Sequence, residues 1–196
     1  IPYYNTRKAA RVFAKIDGEV VDHEFGLSVA TNHSREPSSI YTKSFKGTRR
    51  SVDYKATSEL GAGTATLGFV RTTEVAQLDA ARNEVDTSAV FSEILTPLSA
   101  NVDLSVAGRY ENHSTFGKAV TGRAVLAWRV AEDTVIRASF GNGVRAPSIY
   151  ELFDVYAGNQ NLEEESSTSF DLGIEHSYAS GSKIKAVVFY NEIDNL

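Results

Sequence analysis

Long stretches in which apolar and polar residues alternate one by one dominate this sequence and limit the folds that it can adopt. Between residues 118 and 130, for example, Ala124, Leu126 and Trp128 alternate with Arg123 and Arg129. A period of two predicts β-strands, because successive side chains of a strand point to opposite faces. About ten such stretches occur. The predicted strands span residues 7–16, 20–31, 45–59, 64–76, 86–97, 101–112, 118–130, 134–143, 166–178 and 183–193.

The length of these strands favours a membrane protein. A strand of a soluble protein has on average roughly 5 to 6 residues. A tilted strand that crosses a membrane needs about 9 to 11. Every predicted strand reaches the longer range.

The predicted connections alternate in size along the chain. Short turns are expected at 17–19, 60–63, 98–100, 131–133 and 179–182. Longer loops are expected at 32–44, 77–85, 113–117 and 144–165. Because successive connections of an antiparallel meander lie at opposite ends, one rim is predicted to be tight and the other elaborate. Outer-membrane barrels have this asymmetry.

The aromatic residues on the apolar faces also fit a barrel. Trp128 and Tyr178 lie next to short turns, and Tyr110, Phe140 and Tyr190 lie near the long loops. Aromatic side chains at both ends of an apolar band form the girdles of a membrane barrel. Strand propensity alone would also enrich aromatic residues, so this pattern supports the prediction without deciding it.

Composition excludes several other classes of protein. The chain is 42% hydrophobic and 23% charged, with a net charge of −5, and it contains no cysteine. The acidic balance argues against nucleic-acid binding, and the absence of cysteine rules out disulfides and thiolate metal sites here. No apolar run approaches the roughly 18 residues of a spanning helix. Because the chain has no methionine, even at position 1, we interpret it as an interior piece of a longer protein.

One glycine motif resembles a nucleotide-binding fingerprint, but its context argues against that function. Gly141-x-Gly143-x-x-Ala146 follows a strand. That strand alternates instead of forming a buried apolar run, Pro147 follows at once, and no βαβ unit is predicted. The four histidines have no metal-site spacing, and no catalytic motif is present. The sequence therefore predicts no enzyme, no metal site and no cofactor.

The motifs around the longest loop resemble a known family. The series Arg145-Ala-Pro-Ser148, Glu151-Leu-Phe153, Gly158-Asn-Gln-Asn-Leu162 and Glu165-Ser166 precedes an alternating strand. This order is similar to the barrel of TonB-dependent outer-membrane receptors, in the branch of cobalamin and siderophore receptors. The resemblance implies a 22-stranded barrel with an N-terminal plug domain. It also implies uptake of a scarce ligand, driven by the TonB complex of the inner membrane.

We therefore predict an all-β fold in which residues 1–196 form part of an antiparallel transmembrane β-barrel, about ten strands of the expected 22, without the plug. The predicted location is the outer membrane of a Gram-negative bacterium. The predicted partners are outer-membrane lipid, a small-molecule ligand, and the TonB complex through a plug that this chain lacks. A passive barrel and a soluble β-sandwich used for binding or adhesion are the alternatives.

The loop at 144–165 is the main candidate for ligand capture. Its candidate contact residues are Tyr150, Tyr156, Asn159 and Asn161. Four further residues are expected to shape the loop where the chain leaves the barrel, namely Gly141, Gly143, Arg145 and Pro147. On the polar face, Arg109, Arg123, Arg129 and Arg137 are expected to pair with the plug or with Asp103, Asp171 and Glu175.

Overall fold

The structure is a computed structural model that describes residues 3–196, and it consists of ten strands and one five-residue helix. The strands form a single antiparallel sheet in chain order, with β1 and β10 at its edges. Their bounds are β1 Tyr4–Ile16, β2 Val21–Arg35, β3 Ser44–Leu60, β4 Gly63–Leu78, β5 Ala81–Ser99, β6 Val102–His113, β7 Gly117–Ala131, β8 Thr134–Arg145, β9 Glu165–Ser177 and β10 Lys183–Asp194. The helix α1 spans Ile149–Phe153. All ten predicted strands are confirmed. Within residues 3–196, no helix is long and apolar enough to cross a membrane.

The connections divide into two rims. The turn rim contains residues 17–20, 61–62, 100–101, 132–133 and 178–182. The loop rim contains residues 36–43, 79–80, 114–116 and 146–164. The loop rim carries the two longest connections, as the sequence predicts.

The predicted loop at 77–85 is wrong. Strands β4 and β5 continue through this region and are joined by Asp79 and Ala80 alone. Asp79 adopts the left-handed conformation, with φ of 49°, that such a tight turn requires. The hairpin is long because Leu78 and Val85 are buried beneath α1, a contact that local polarity does not reveal.

The register of the sheet defines an outer face that is largely apolar in the middle of the strands, with Arg71 of β4 as a charged exception. Directly paired residues share a face, and one such row runs through Val106, Ala124, Phe140 and Phe170. Large apolar side chains of this face remain exposed, for example Val12 at 72% and Leu67 at 62%. Four of the predicted girdle residues lie there too, with Trp128 near the turn rim and Tyr110, Phe140 and Tyr190 farther toward the loop rim. Tyr178 lies in the turn rim itself, directly after β9.

An exposed apolar surface of this extent is rare on a soluble monomer. A β-sandwich would bury it against a second sheet, yet residues 3–196 form one sheet only. The sandwich alternative is therefore wrong, and the outer face is suited to lipid.

The inner face, on the other side of the sheet, is polar and carries cross-strand ion pairs. Arg129 Nη2 lies 2.6 Å from Asp103 Oδ2, and Arg137 Nη1 lies 3.5 Å from Glu175 Oε2. Both pairs match the sequence expectation. Asp171 instead accepts a hydrogen bond from the Ser139 hydroxyl at 2.7 Å. Val187 and Phe189 lie on this inner face as well, paired with Gly173 and Asp171.

Candidate functional site

The connection at 146–164 folds over the inner face of the sheet instead of extending away from the loop rim. Helix α1 buries Ile149 and Leu152, which are 7% and 3% exposed. Ile149 packs with Ala76, Leu78 and Val85 of the β4–β5 hairpin. Since β8 lies four strands away from β4, the connection crosses the concave side of the sheet.

A charged and hydrogen-bonded cluster fixes the start of this connection. Arg145 Nη2 lies 2.9 Å from Glu151 Oε1, and Arg145 Nη1 pairs with Glu165 at the start of β9. Ser148 and Glu151 form a capping box, in which each side chain accepts a hydrogen bond from the backbone N–H of the other. Hydrogen bonds from Ser148, above all from its backbone, and the Arg145 guanidinium lower the pKa of Glu151 to about 2. Glu151 is therefore ionised throughout the physiological range.

Asp154, just after α1, is the most deeply buried charged residue of the loop rim. It is 5% exposed. Its carboxylate accepts hydrogen bonds from the Thr42 hydroxyl and from the backbone N–H groups of Tyr156 and Ala157, the last two at 3.0 and 2.9 Å. Burial alone would raise the pKa of Asp154, but these three donors outweigh burial and lower it.

Thr42 belongs to the connection between β2 and β3, so Asp154 joins two connections that are far apart in sequence. Aromatic contacts reinforce the junction, because the rings of Tyr41 and Tyr156 meet edge to face with centroids 5.6 Å apart. The carboxylate of Asp79 accepts hydrogen bonds from the backbone N–H groups of Lys43 and Ser44. Residues 36–43, 79–80 and 146–164 therefore form one connected unit, which we call the loop body.

A cleft of about 580 Å³ lies between the loop body and the inner face of β1 to β4. Basic side chains from Arg7 and Arg49 lie along its wall, and Tyr150 and Phe45 lie at the end next to α1. Glu74 offsets one of the cations, with its Oε1 atom 3.4 Å from Arg49 Nε. Asn32, which also lines the cleft, has a buried Oδ1 atom without a hydrogen-bond partner in the described residues. Most of the lining is apolar, and the Arg7 and Arg49 guanidinium groups are among its charged exceptions. The cleft can therefore accept a molecule that combines an apolar or aromatic body with a polar or anionic group.

The four predicted contact residues occupy different environments. Tyr150 lines the cleft, is 44% exposed, and meets the ring of Phe45 with centroids 6.2 Å apart. Tyr156 is 59% exposed and contacts Tyr41. The Oδ1 atom of Asn159 accepts the backbone N–H of Asn161 at 3.0 Å, which closes a turn, and the Asn161 side chain is exposed. Tyr150 alone among the four borders the cleft.

The predicted loop-shaping residues also separate into two groups. Gly141 and Gly143 lie inside β8, paired with Ser169 and Ser167 of β9, so they do not mark the point where the chain leaves the sheet. Their role there is steric, since a Cβ at Gly141 would lie 3.1 Å from the Gly122 carbonyl oxygen. The chain leaves the sheet after Arg145, and Pro147 is buried at the start of the connection.

Sequence reasoning missed Asp154, Thr42 and the capping box. The spacing of Ser148 and Glu151 is a helix-start signature and could have identified the box. Asp154 and Thr42 lie 112 positions apart and carry no shared local signal. Their pairing depends on the curvature of the sheet.

Comparison with known proteins gives a consistent result. A model of the family described as TonB dependent receptor-like, beta-barrel matches residues 3–196. The vitamin B12 transporter BtuB of Vibrio vulnificus (strain YJ016) is 30% identical over 116 residues, which are 59% of this chain and 18% of that protein. In BtuB of Vibrio cholerae serotype O1, 27% of 88 residues are identical, which covers 45% of this chain and 14% of that protein.

The fold is also similar to that of solved receptors. The siderophore receptor PirA from Pseudomonas aeruginosa superposes with a TM-score of 0.88 over 97% of this chain and 39% of that chain, at 18% identity. At this identity the likeness concerns the fold alone. The chain spans less than a fifth of the curated relatives and about two fifths of this structure.

Proposed function

The chain belongs to the β-barrel family of TonB-dependent receptors, and from this premise we propose that it forms part of the wall of an active transporter. Its strands are part of a barrel in a Gram-negative outer membrane. The transporter would bind a scarce extracellular ligand, such as an iron-siderophore or cobalamin, and import it into the periplasm with TonB-coupled energy. In the full-length protein, further strands would close the barrel, and a plug domain would contact the TonB complex.

One observation carries this proposal. The sheet has an apolar outer face and a charged inner face, and the loop body folds over the inner face. A passive pore needs an open lumen. A wall whose longest connection covers the inner face instead provides a recognition surface above the lumen. Barrels of the size expected for this family enclose a lumen that must be plugged, which requires an energy source for passage.

The cleft supports a ligand that carries oxygen-rich or negatively charged groups on a largely apolar body. Arg7 and Arg49 supply cations, and guanidinium groups bind carboxylate and phosphate oxygens in a fork geometry. The unpartnered Oδ1 atom of Asn32 requires a donor, which a bound ligand or an ordered water would provide. Tyr150 would contact the ligand through its ring, and Tyr156, Asn159 and Asn161 are proposed as outer contacts on the same loop.

Uptake by cells that produce the full-length protein tests the proposal. Accumulation of labelled ferric siderophores and labelled cobalamin would be measured with and without TonB, across ligand concentrations. Saturable uptake of one ligand class that disappears without TonB is the expected result. Uptake that rises linearly with concentration and is unaffected by loss of TonB would instead identify a passive barrel.

The role of Tyr150 is tested by Tyr150→Ala in the full-length protein. Loss of a stacking and packing surface of this size is expected to weaken ligand binding by roughly 10-fold, on the order of 1.4 kcal/mol. Tyr178→Ala is the matched control, because Tyr178 is similarly exposed and lies in the turn rim, at the opposite end of the strands from the cleft. Equal ligand affinity in the two variants would remove Tyr150 from the site.

A further inference from the structure

The outer face carries a group of basic side chains on the loop-rim side of β1, β2 and β3. The register places Lys8 on the same face as Thr31 and Thr48. By the same alternation, Arg35, Lys46 and Arg50 lie on that part of the face as well. We call Lys8 and these three residues the basic patch.

Within the part of the chain that the structure describes, the cations of the basic patch have no acidic partners. None of the four forms an ion pair in residues 3–196, and all four are exposed. The residues between them on this face are hydrogen-bonding groups and include no acid, namely Thr6, Thr31, His33, Ser44 and Thr48. The inner face of the same strands differs, because Arg11 lies 3.1 Å from Asp53 and Lys55 lies 3.4 Å from Glu24.

The basic patch borders the apolar band on one side only. Moving along the outer face of β3 from Arg50 toward the turn rim, the next residues are Val52, Tyr54 and Ala56. On β1 the band continues through Val12 to Ile16, and no lysine or arginine lies on the outer face of β1 to β3 toward the turn rim. The cations are therefore at the level of the headgroups of a single leaflet.

We propose that the basic patch binds the phosphorylated headgroup of a lipid in the outer leaflet. Arg50 and Arg35 can each contact a phosphate through two N–H groups, Lys8 and Lys46 act as point charges, and the threonine hydroxyls complete the shell. Neighbouring strands lie about 4.8 Å apart, and Arg50 is two residues along β3 from Thr48, which shares a row with Lys8, so Lys8 and Arg50 are about 12 Å apart along the diagonal. One headgroup can bridge them. The loop rim faces the outside of the cell in barrels of this kind, which selects the outer leaflet.

The test uses the full-length protein in mild detergent. Binding is measured by native mass spectrometry with an outer-leaflet lipid and with the same lipid after enzymatic removal of its phosphates. Each basic side chain near an anionic surface contributes roughly a fivefold gain in affinity. The Lys8→Ala/Arg50→Ala double variant is therefore expected to bind the phosphorylated lipid about 30-fold more weakly.

Controls separate a specific site from general charge and from misfolding. Arg123→Ala/Lys185→Ala removes two cations from the inner face and should leave lipid binding unchanged. Lys8→Arg/Arg50→Lys keeps both charges and should retain most of the affinity.

Three results would overturn the proposal: equal binding of the two lipids by the wild type, equal loss in the inner-face control, or competition by inorganic phosphate at the affinity of the lipid. The last would identify a free-anion site. Ligand uptake is a separate measurement, so the lipid site can fail while the transport proposal stands.

Discussion

Replacing Asp154 with alanine should release the loop body at two places that are far apart in the chain. The carboxylate holds three donors, of which two are backbone N–H groups of its own connection and one is the Thr42 hydroxyl of the β2–β3 connection. A hydrogen bond to a charged group contributes about 1.5 to 3 kcal/mol, and a buried donor left without a partner costs about 1 to 3 kcal/mol.

The net effect is smaller than the sum of these contributions, because a surface connection can relax and admit water. We expect Asp154→Ala to lower the free energy of opening of the loop body by about 2 to 3 kcal/mol. Amide exchange in this region should then accelerate by roughly 30- to 150-fold. Hydrogen exchange on the full-length protein in detergent would follow one peptide around Gly158 and Asn159 and a second peptide around Thr42.

Glu163→Ala is the matched control, since it removes an exposed acid from the same connection. Thr42→Val removes one donor only and should accelerate exchange less than Asp154→Ala. If Asp154→Ala left the exchange of the peptide around Thr42 unchanged, the idea that Asp154 joins the two connections would be refuted. If the control matched Asp154→Ala, the effect would be one of charge instead of the three hydrogen bonds.

Three further outcomes are expected. The Leu78 side chain is 1% exposed beneath α1, so Leu78→Ala should lower the free energy of unfolding of the full-length barrel by about 2 to 5 kcal/mol in chemical unfolding. An unchanged unfolding midpoint would contradict this. Gly63→Ala should lower the yield of folded barrel on heat-modifiability gels, because a Cβ would lie 2.2 Å from the Leu95 carbonyl oxygen. Gly108→Ala should leave the yield unchanged, because the space around Gly108 is open. The pKa of Glu151 is lowered from 4.5 to about 2, so its contribution to α1 docking is complete above pH 4.5 and is lost as the pH falls toward 2. Glu151→Gln should therefore remove the acid dependence of amide exchange in α1. An unchanged pH profile in this variant would contradict the assignment.

The sequence predicted the strands well because their signal is local. Apolar residues at alternate positions of one strand, such as Leu104, Val106 and Tyr110 of β6, reveal the outer face by alternation alone. The same rule failed at 77–85, which was predicted to be a loop. That segment is a strand because Val85 and Leu78 pack under a helix from a distant part of the chain.

The candidate site was less predictable for the same physical reason. Tyr150 was identified because a tyrosine in a long connection is a plausible ligand contact. Asp154 could not be identified, since its buried state depends on Thr42 and on the inward path of the connection. The glycine motif at Gly141 and Gly143 suggested an exit point, but a glycine with ordinary negative φ fits inside a strand equally well.

The ladder between β7 and β8 ends at Arg123 and Gly141, although both strands continue toward the loop rim. Beyond that point the Asn142 side chain joins them, accepting the Gly122 N–H at 2.7 Å and donating to the Val120 carbonyl at 3.1 Å. The eight residue pairs between the break and the turn rim hold the register of β7 and β8, so only the loop-rim ends of the two strands are free to separate. The connection at 146–164 starts beyond the break and is anchored on β4 and β5 before it, so α1 acts as a brace across the weakest line of the wall.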